Sequence, residues 1–186
     1  MNKEDEFLGP SFGLKNKVGR VLWGFVAFLF FKFTPRPFHA WRRFVLRLFG
    51  AKIGKKARVY PKVNIWAPWN LDLKDECIVA NGVTLYCQGK ITIGYRTVVS
   101  QGTHLVAGSH DYTKQSFPLY TKPIHIGSHV WIAAEVFVHP GIIINEGCVI
   151  GARSVVNKNM PEWMVCAGFP CIPVKKRILR GVSESE

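Results

Sequence analysis

Acidic residues are scarce in this chain of 186 residues: 12 Asp and Glu stand against 25 Lys and Arg, for a formal net charge of +13. Such an imbalance calls for an anionic surface or ligand, whether nucleic acid, acidic lipid, acidic polysaccharide or a phosphorylated cofactor. The basic residues gather in the N-terminal segment and the C-terminal tail. They do not interleave with aromatics as RNA-binding sheets require, so nucleic acid is set aside. Long hydrophobic runs are also missing. Val21 to Phe31 is an apolar stretch flanked by Arg20 and Lys32, well short of the ~20 residues that cross a bilayer. No small-residue cleavage site follows it, only Pro35-Arg36-Pro37, which argues against a secretory signal. The five cysteines form no CxxC pair. Their odd number and spacing fit a reducing compartment and exclude the usual disulfide and zinc frameworks, so no metal is expected.

What the chain has is a ladder. From Ile126 a branched aliphatic returns at Ile132, Val138, Ile144, Ile150 and Val156, always six residues on. Smaller or β-branched residues follow at Val130, Val136, Ile142, Cys148 and Ser154. A helix would repeat at three and four, and a half-buried strand at two. A step of six describes short strands joined by corners, each giving one large and one small inward residue to a stacked core. The ladder is an all-β signature, a parallel β-helix of hexapeptide repeats.

The same step runs through Ile53, Val59 and Ile65, then Leu73, Val79 and Leu85, then Ile93, Val99 and Leu105, with two-residue slips between the groups. Cys77 and Cys148 fall in the small inward slot, where a thiol packs as a small hydrophobe. Gly54, Gly94, Gly127 and Gly151 each follow a large residue, where a corner is expected to need glycine's permissive backbone. The period breaks once, across the loop 111–123, which is either a functional excursion or a tolerated insertion. The organisation expected is an N-terminal extension over 1–50, a β-helix over 51–164, and a cap with a basic tail over 165–186. Within the extension, Trp41, Val45, Leu48 and Phe49 keep helical spacing, with Arg43 and Arg47 on another side. That pattern suits an amphipathic helix at an anionic membrane, and equally one that caps the first coil.

Ala107-Gly-Ser-His110-Asp-Tyr, then Ile126-Gly-Ser-His-Val-Trp131-Ile-Ala-Ala, then Val138-His-Pro-Gly141, resemble the hexapeptide acyltransferases of the maltose and galactoside O-acetyltransferase group. The resemblance continues through Ile150-Gly-Ala-Arg-Ser-Val-Val-Asn-Lys158-Asn-Met-Pro161 and Ala167-Gly-Phe-Pro-Cys171, covering roughly residues 51 to 177. Lys15-Asn-Lys, Pro35-Arg-Pro-Phe-His-Ala-Trp41, Gly50-Ala-Lys-Ile-Gly54 and Ile65-Trp-Ala-Pro-Trp-Asn70 look closer to the colanic acid biosynthesis acetyltransferases. The resemblance implies a left-handed β-helix, a homotrimer with its active site between subunits, and acetyl transfer from acetyl-CoA to a saccharide hydroxyl.

By that resemblance His110 is the general base, a role in which a neutral imidazole contributes on the order of a hundred- to ten-thousand-fold in rate. His104, six residues earlier, should occupy the same corner. Asp111 either holds a substrate hydroxyl or makes its own turn. Trp131 matches a residue beside the cofactor channel, with packing against the loop as its structural alternative. Ala133, Ala134, Gly151 and Ala152 offer the small side chains along which a pantetheine arm lies. Asn157 and Lys158 match positions near the adenine, and Lys175 a cation near the 3′-phosphate, where a point charge suits phosphate. Ala133 stands where glycine is common. Asn81, Tyr86 and Gln88 fall near the acceptor, although the family's asparagine and acidic residues do not align cleanly there. His125 and His129 lack the spacing of the zinc ligands in the γ-class carbonic anhydrases, which share this fold; with His139 they are expected at the surface. The leading expectation is a cytoplasmic O-acetyltransferase for an exopolysaccharide or its lipid-linked repeat unit, peripheral at the inner membrane. A transferase for a small soluble acceptor and a non-catalytic scaffold are the alternatives.

Overall fold

A computed structural model describes residues 11–179; the outer parts of the two terminal segments lie outside the described residues. The ladder builds a parallel β-helix with three faces. The first face stacks Lys52–Ile53, Leu71–Leu73, Ile91–Ile93, Ile124–Ile126 and Ile143–Ile144. The second stacks Arg58–Val59, Ile78–Val79, Val98–Val99, Trp131–Ile132, Val149–Ile150 and Met164–Gly168. The third stacks Asn64–Ile65, Thr84–Tyr86, His104–Val106, Phe137–Val138 and Val155–Val156. Along the first face Ile53, Leu73, Ile93, Ile126 and Ile144 lie directly above one another. The small slots fill the core beside them: Val130, Val136, Ile142, Cys148 and Ser154 are all buried. Where that slot holds a threonine, its hydroxyl is satisfied by the next coil, Thr97 Oγ1 donating to Gly127 O at 2.7 Å and Thr103 Oγ1 to Ala133 O at 3.0 Å.

All irregularity is pushed to one edge. The 3-10 turn Pro68–Asn70 and the bend at Cys87–Lys90 absorb the two slips, and both lie between the third and first faces. The long excursion leaves at the same edge as a hairpin, Gly108–His110 antiparallel to Leu119–Thr121. The loop read from sequence as 111–123 therefore returns as a strand in its second half.

The glycines after the large residues are required for a different reason from the one expected. None of Gly54, Gly94, Gly127 and Gly151 has a positive φ. A Cβ on Gly94 would lie 2.4 Å from the Gly127 carbonyl carbon, and one on Gly127 would lie 2.7 Å from Glu146 N. Successive coils approach so closely at this position that only a hydrogen fits. The left-handed corner residues are instead Lys56, Glu76, Arg96 and His129, at φ 51–57°. His104 also departs from expectation: it sits on the third face, stacked on Phe137 at 6.1 Å, not at a corner.

Two helices precede the coil, α1 (Leu14–Phe30) and α2 (His39–Leu48). Each coil donates its strand N–H groups to the carbonyls of the following coil, as in Arg58 N to Cys77 O and Asn64 N to Val83 O. The first coil's own carbonyls would therefore be unpaired. Arg47 takes Ile53 O at 2.6 Å, Arg43 takes Ala57 O at 2.9 Å, Arg42 takes Val59 O at 2.6 Å, and Trp23 Nε1 takes Ile65 O at 2.8 Å. The basic face of α2 is thus a cap on the coil, and its arginines are not presented to a membrane. Arg42 is wholly buried and also donates to Thr34 Oγ1, Pro35 O and Arg36 O. A guanidinium suits this duty because its donors are fixed in a fork.

Arg42→Met should lower the unfolding free energy by about 2–4 kcal/mol in urea titrations, and Arg42→Lys should not restore it. Gly94→Ala should cost about 1–3 kcal/mol through overpacking. Gly24→Ala, where a Cβ meets nothing within 4 Å, should instead stabilise the helix by about 0.5–1 kcal/mol.

Candidate active site

His110 ends the first strand of the excursion, opposite Leu119. The hairpin is tied to the coil by Ala107 N to Tyr86 O at 3.1 Å and Lys122 N to Ala107 O at 3.1 Å. At its tip, Asp111 N donates to Pro118 O at 3.0 Å and Phe117 N to Lys114 O at 3.0 Å. Phe117 adopts a left-handed φ of 43°, and its carbonyl lies 2.6 Å from His110 Nδ1. A carbonyl can only accept, so Nδ1 carries the proton and the neutral ring keeps its lone pair on Nε2. The imidazole is exposed, so the loop fixes a tautomer without burying the ring. Tyr112, Tyr120 and Lys122 line a cleft of about 340 Å³ beside it.

Asp111 makes the turn. Its Oδ1 accepts from Thr113 Oγ1 at 2.6 Å and Thr113 N at 3.1 Å. The hydroxyl, then the amide, hold its carboxyl below the ordinary aspartate value. Tyr86 lies on the same edge one coil earlier, its hydroxyl accepting from Gln88 Nε2 at 3.1 Å. Gln88 Oε1 is buried over Gly108 with no partner. Asn157 and Lys158 are exposed on this edge further along the coil.

The remaining positions lie elsewhere. Ala133 and Ala134 form one corner between the second and third faces, and Gly151 and Ala152 form the next one along. Coil-to-coil bonds hold these corners together, Ala133 N to Ile150 O at 2.9 Å and Arg153 N to Ala134 O at 2.9 Å. The result is a strip floored by hydrogens and methyl groups; a Cβ on Gly151 would come within 2.9 Å of Ala167 Cβ. Trp131 stands half-exposed beside it, Nε1 donating to Ser100 Oγ at 3.1 Å. Asn81 is at the same edge nearer the N-terminal end, its Oδ1 occupied by Lys62 N at 3.2 Å. Lys175 lies on the final strand, Cys171–Lys176, opposite Val165. Among the described residues neither Lys158 nor Lys175 is paired with a carboxylate.

The chain therefore places His110 on one edge and the small-residue strip on another. Both edges border the third face, and a six-residue side at ~3.3 Å per residue separates them by up to roughly 20 Å. One imidazole cannot span that distance within a single chain. No thiol offers a second nucleophile. All five cysteines are buried, and burial pushes Cys77 up to about 12 and Cys87 and Cys171 to about 11.

A model of the bacterial transferase hexapeptide (six repeats) matches residues 123–158. The chain is 44% identical over 163 residues to a protein of Escherichia coli (strain K12) named putative colanic acid biosynthesis acetyltransferase WcaF, covering 88% of this chain and 90% of that one. The chain belongs to the hexapeptide-repeat acetyltransferases. Among solved members, a maltose O-acetyltransferase from Clostridium difficile 630 superposes with a TM-score of 0.73 at 27% identity, over 90% of each chain. A hexapeptide-repeat acetyltransferase of Vibrio cholerae O1 biovar eltor, complexed with acetyl coenzyme A, shares the fold with a TM-score of 0.82 at 23% identity. That match covers 95% of this chain and 98% of the other.

The resemblance singled out His110 as the candidate base, but nothing in the sequence showed what orients its ring. Phe117, Tyr120 and Lys122 lie in the one stretch without a period, and the backbone carbonyl of Phe117 leaves no trace in residue type. Long-range 15N–1H NMR should find neutral His110 as the Nδ1–H tautomer. A predominant Nε2–H form would mean that the Phe117 contact does not hold in solution.

Proposed function

We propose that the chain transfers an acetyl group from acetyl-CoA to a sugar hydroxyl of an exopolysaccharide or its lipid-linked repeat unit. The active site would be completed between copies of a homotrimer. The observation that carries this reading is the fixed His110 tautomer, on a different edge from the small-residue strip. A base that must meet a thioester held elsewhere on the same subunit implies that a neighbour supplies one of the two. The E. coli relative's name supports the acceptor class, and the Vibrio cholerae complex supports the donor.

In this reading Nε2 of His110 accepts the proton of the acceptor hydroxyl as its oxygen attacks the thioester carbonyl. The carbonyl oxygen becomes an oxyanion, the C–S bond breaks as the carbonyl reforms, and the imidazolium returns its proton to the departing sulfur. The Nδ1–H bond to Phe117 O holds the ring in place throughout and stabilises its transient positive charge. Ala133, Ala134, Gly151 and Ala152 leave room for an extended arm, with Trp131 as a wall. Lys158 and Lys175 would meet phosphate oxygens as point charges. Tyr86 and Gln88 lie on the base's edge, where an acceptor ring would approach.

Calorimetric titration with acetyl-CoA should give saturable binding near one site per chain, weakened roughly five- to ten-fold in Lys175→Ala. His110→Ala should bind acetyl-CoA unchanged yet lose roughly a hundred- to ten-thousand-fold in acetyl transfer to an extracted polysaccharide repeat unit. Absence of acetyl-CoA binding by the folded protein would overturn the transferase reading. Full activity of His110→Ala would overturn only the assignment of the base.

A further inference from the structure

The side of α1 that faces away from the β-helix is as apolar as the side that packs on it. Trp23, Val26 and Ala27 turn inward. Leu14, Val18, Val21, Leu22, Phe25 and Phe28 recur at three- and four-residue steps on the opposite side and are exposed, Val21 by 73% and Phe25 by 65%. A helix apolar on two opposite sides belongs where both are covered. The exposed surface continues into α2. Phe28 meets Phe33 at 5.3 Å, Trp41 Nε1 donates to Phe30 O at 2.8 Å, and the Trp41 ring lies 5.8 Å from Phe44. Phe33, Trp41, Phe44 and Leu48 are all exposed. Contiguous apolar surface of this kind marks an interaction site.

Its charge identifies the partner. Between Glu6 and Asp72 the sequence contains thirteen Lys and Arg and no acidic residue. Arg42, Arg43 and Arg47 are engaged by backbone carbonyls, while Lys15, Lys17, Lys32 and Arg36 lie exposed around the apolar side. No helix among the described residues is long and apolar enough to cross a membrane. Pairing of this surface with itself fits poorly, because it would bring cations together with no carboxylate to meet them.

We infer that α1, with the exposed edge of α2, is an in-plane docking surface for an anionic lipid bilayer. The aromatic and aliphatic side chains enter the headgroup–acyl boundary and the flanking cations stay at the phosphates. The capping arginines hold the surface rigidly on the end of the β-helix, so docking sets the orientation of the whole coil. This inference uses no property of the acetyl-transfer site and stands or falls separately from it.

The test is sedimentation of the full chain with vesicles of phosphatidylcholine alone and of phosphatidylcholine with phosphatidylglycerol. Binding should require the anionic lipid, weaken as salt rises, and fall roughly ten-fold or more in Phe25→Ser/Phe44→Ser. Lys15→Gln/Lys17→Gln should weaken binding to anionic vesicles roughly thirty-fold, about 1 kcal/mol for each of the two cations near the surface. Circular dichroism and acetyl-CoA titration on the same variants check that the fold is intact. No binding to anionic vesicles, or equal binding by the folded serine variant, would overturn the inference. So would concentration-dependent self-association abolished by those serines in the absence of lipid, since the surface would then be a protein interface.

Discussion

The structure depends on one-directional hydrogen bonding between coils. Strands of two or three residues have no stability alone, and each is held because its N–H groups reach the carbonyls of the next coil while its aliphatics stack in the core. Close approach is the condition for that pairing, and the glycines after the large inward residues permit it. Register is therefore rigid on the first two faces, and extra residues can leave at only one edge. The two slips and the excursion bearing His110 all leave there, so the candidate base arises where the coil tolerates departure.

The same directionality creates an unfinished end. The first coil's carbonyls have no preceding coil to pair with, and unsatisfied buried carbonyls each cost on the order of 1–3 kcal/mol. Three arginines and the Trp23 indole from the two helices satisfy them on all three faces. This explains why α2 is both strongly basic and closely packed. It also fixes which sides of α1 and α2 are left over, and those sides are apolar. Capping and the surface docking inferred above look like alternatives in the sequence, yet opposite sides of the same helices are available for them.

A triangular coil also decides how catalytic parts can be arranged. Corners stack into edges, so residues a coil apart in sequence share a strip, as Ala133 and Gly151 do. Corners one face apart stay apart, however near they are in sequence. His110 and Trp131 are separated by 21 residues, yet the rigid third face lies between their edges. The function proposed above would therefore bring the two edges together most simply through two copies of the chain.

Much of this was legible from residue spacing. The step of six identified the coil and its inward residues because a repeated covalent period must become a repeated geometric one. The order of motifs pointed to the acetyltransferase family. The glycine positions were visible, but their cause was not, since clearance depends on the neighbouring coil and not on local backbone conformation. His104 was misplaced because a step of six fails where the chain leaves the coil. The sequence by itself determined the core, the points where the period slips or breaks, and the charge imbalance, all properties of order along the chain. Only the tertiary structure decided that the arginines of α2 face carbonyls, that Asp111 is taken up by its turn, and that Phe117 O sets the tautomer of His110. Those are meetings between groups whose separation in sequence carries no period, and only the closed coil brings them within hydrogen-bond reach.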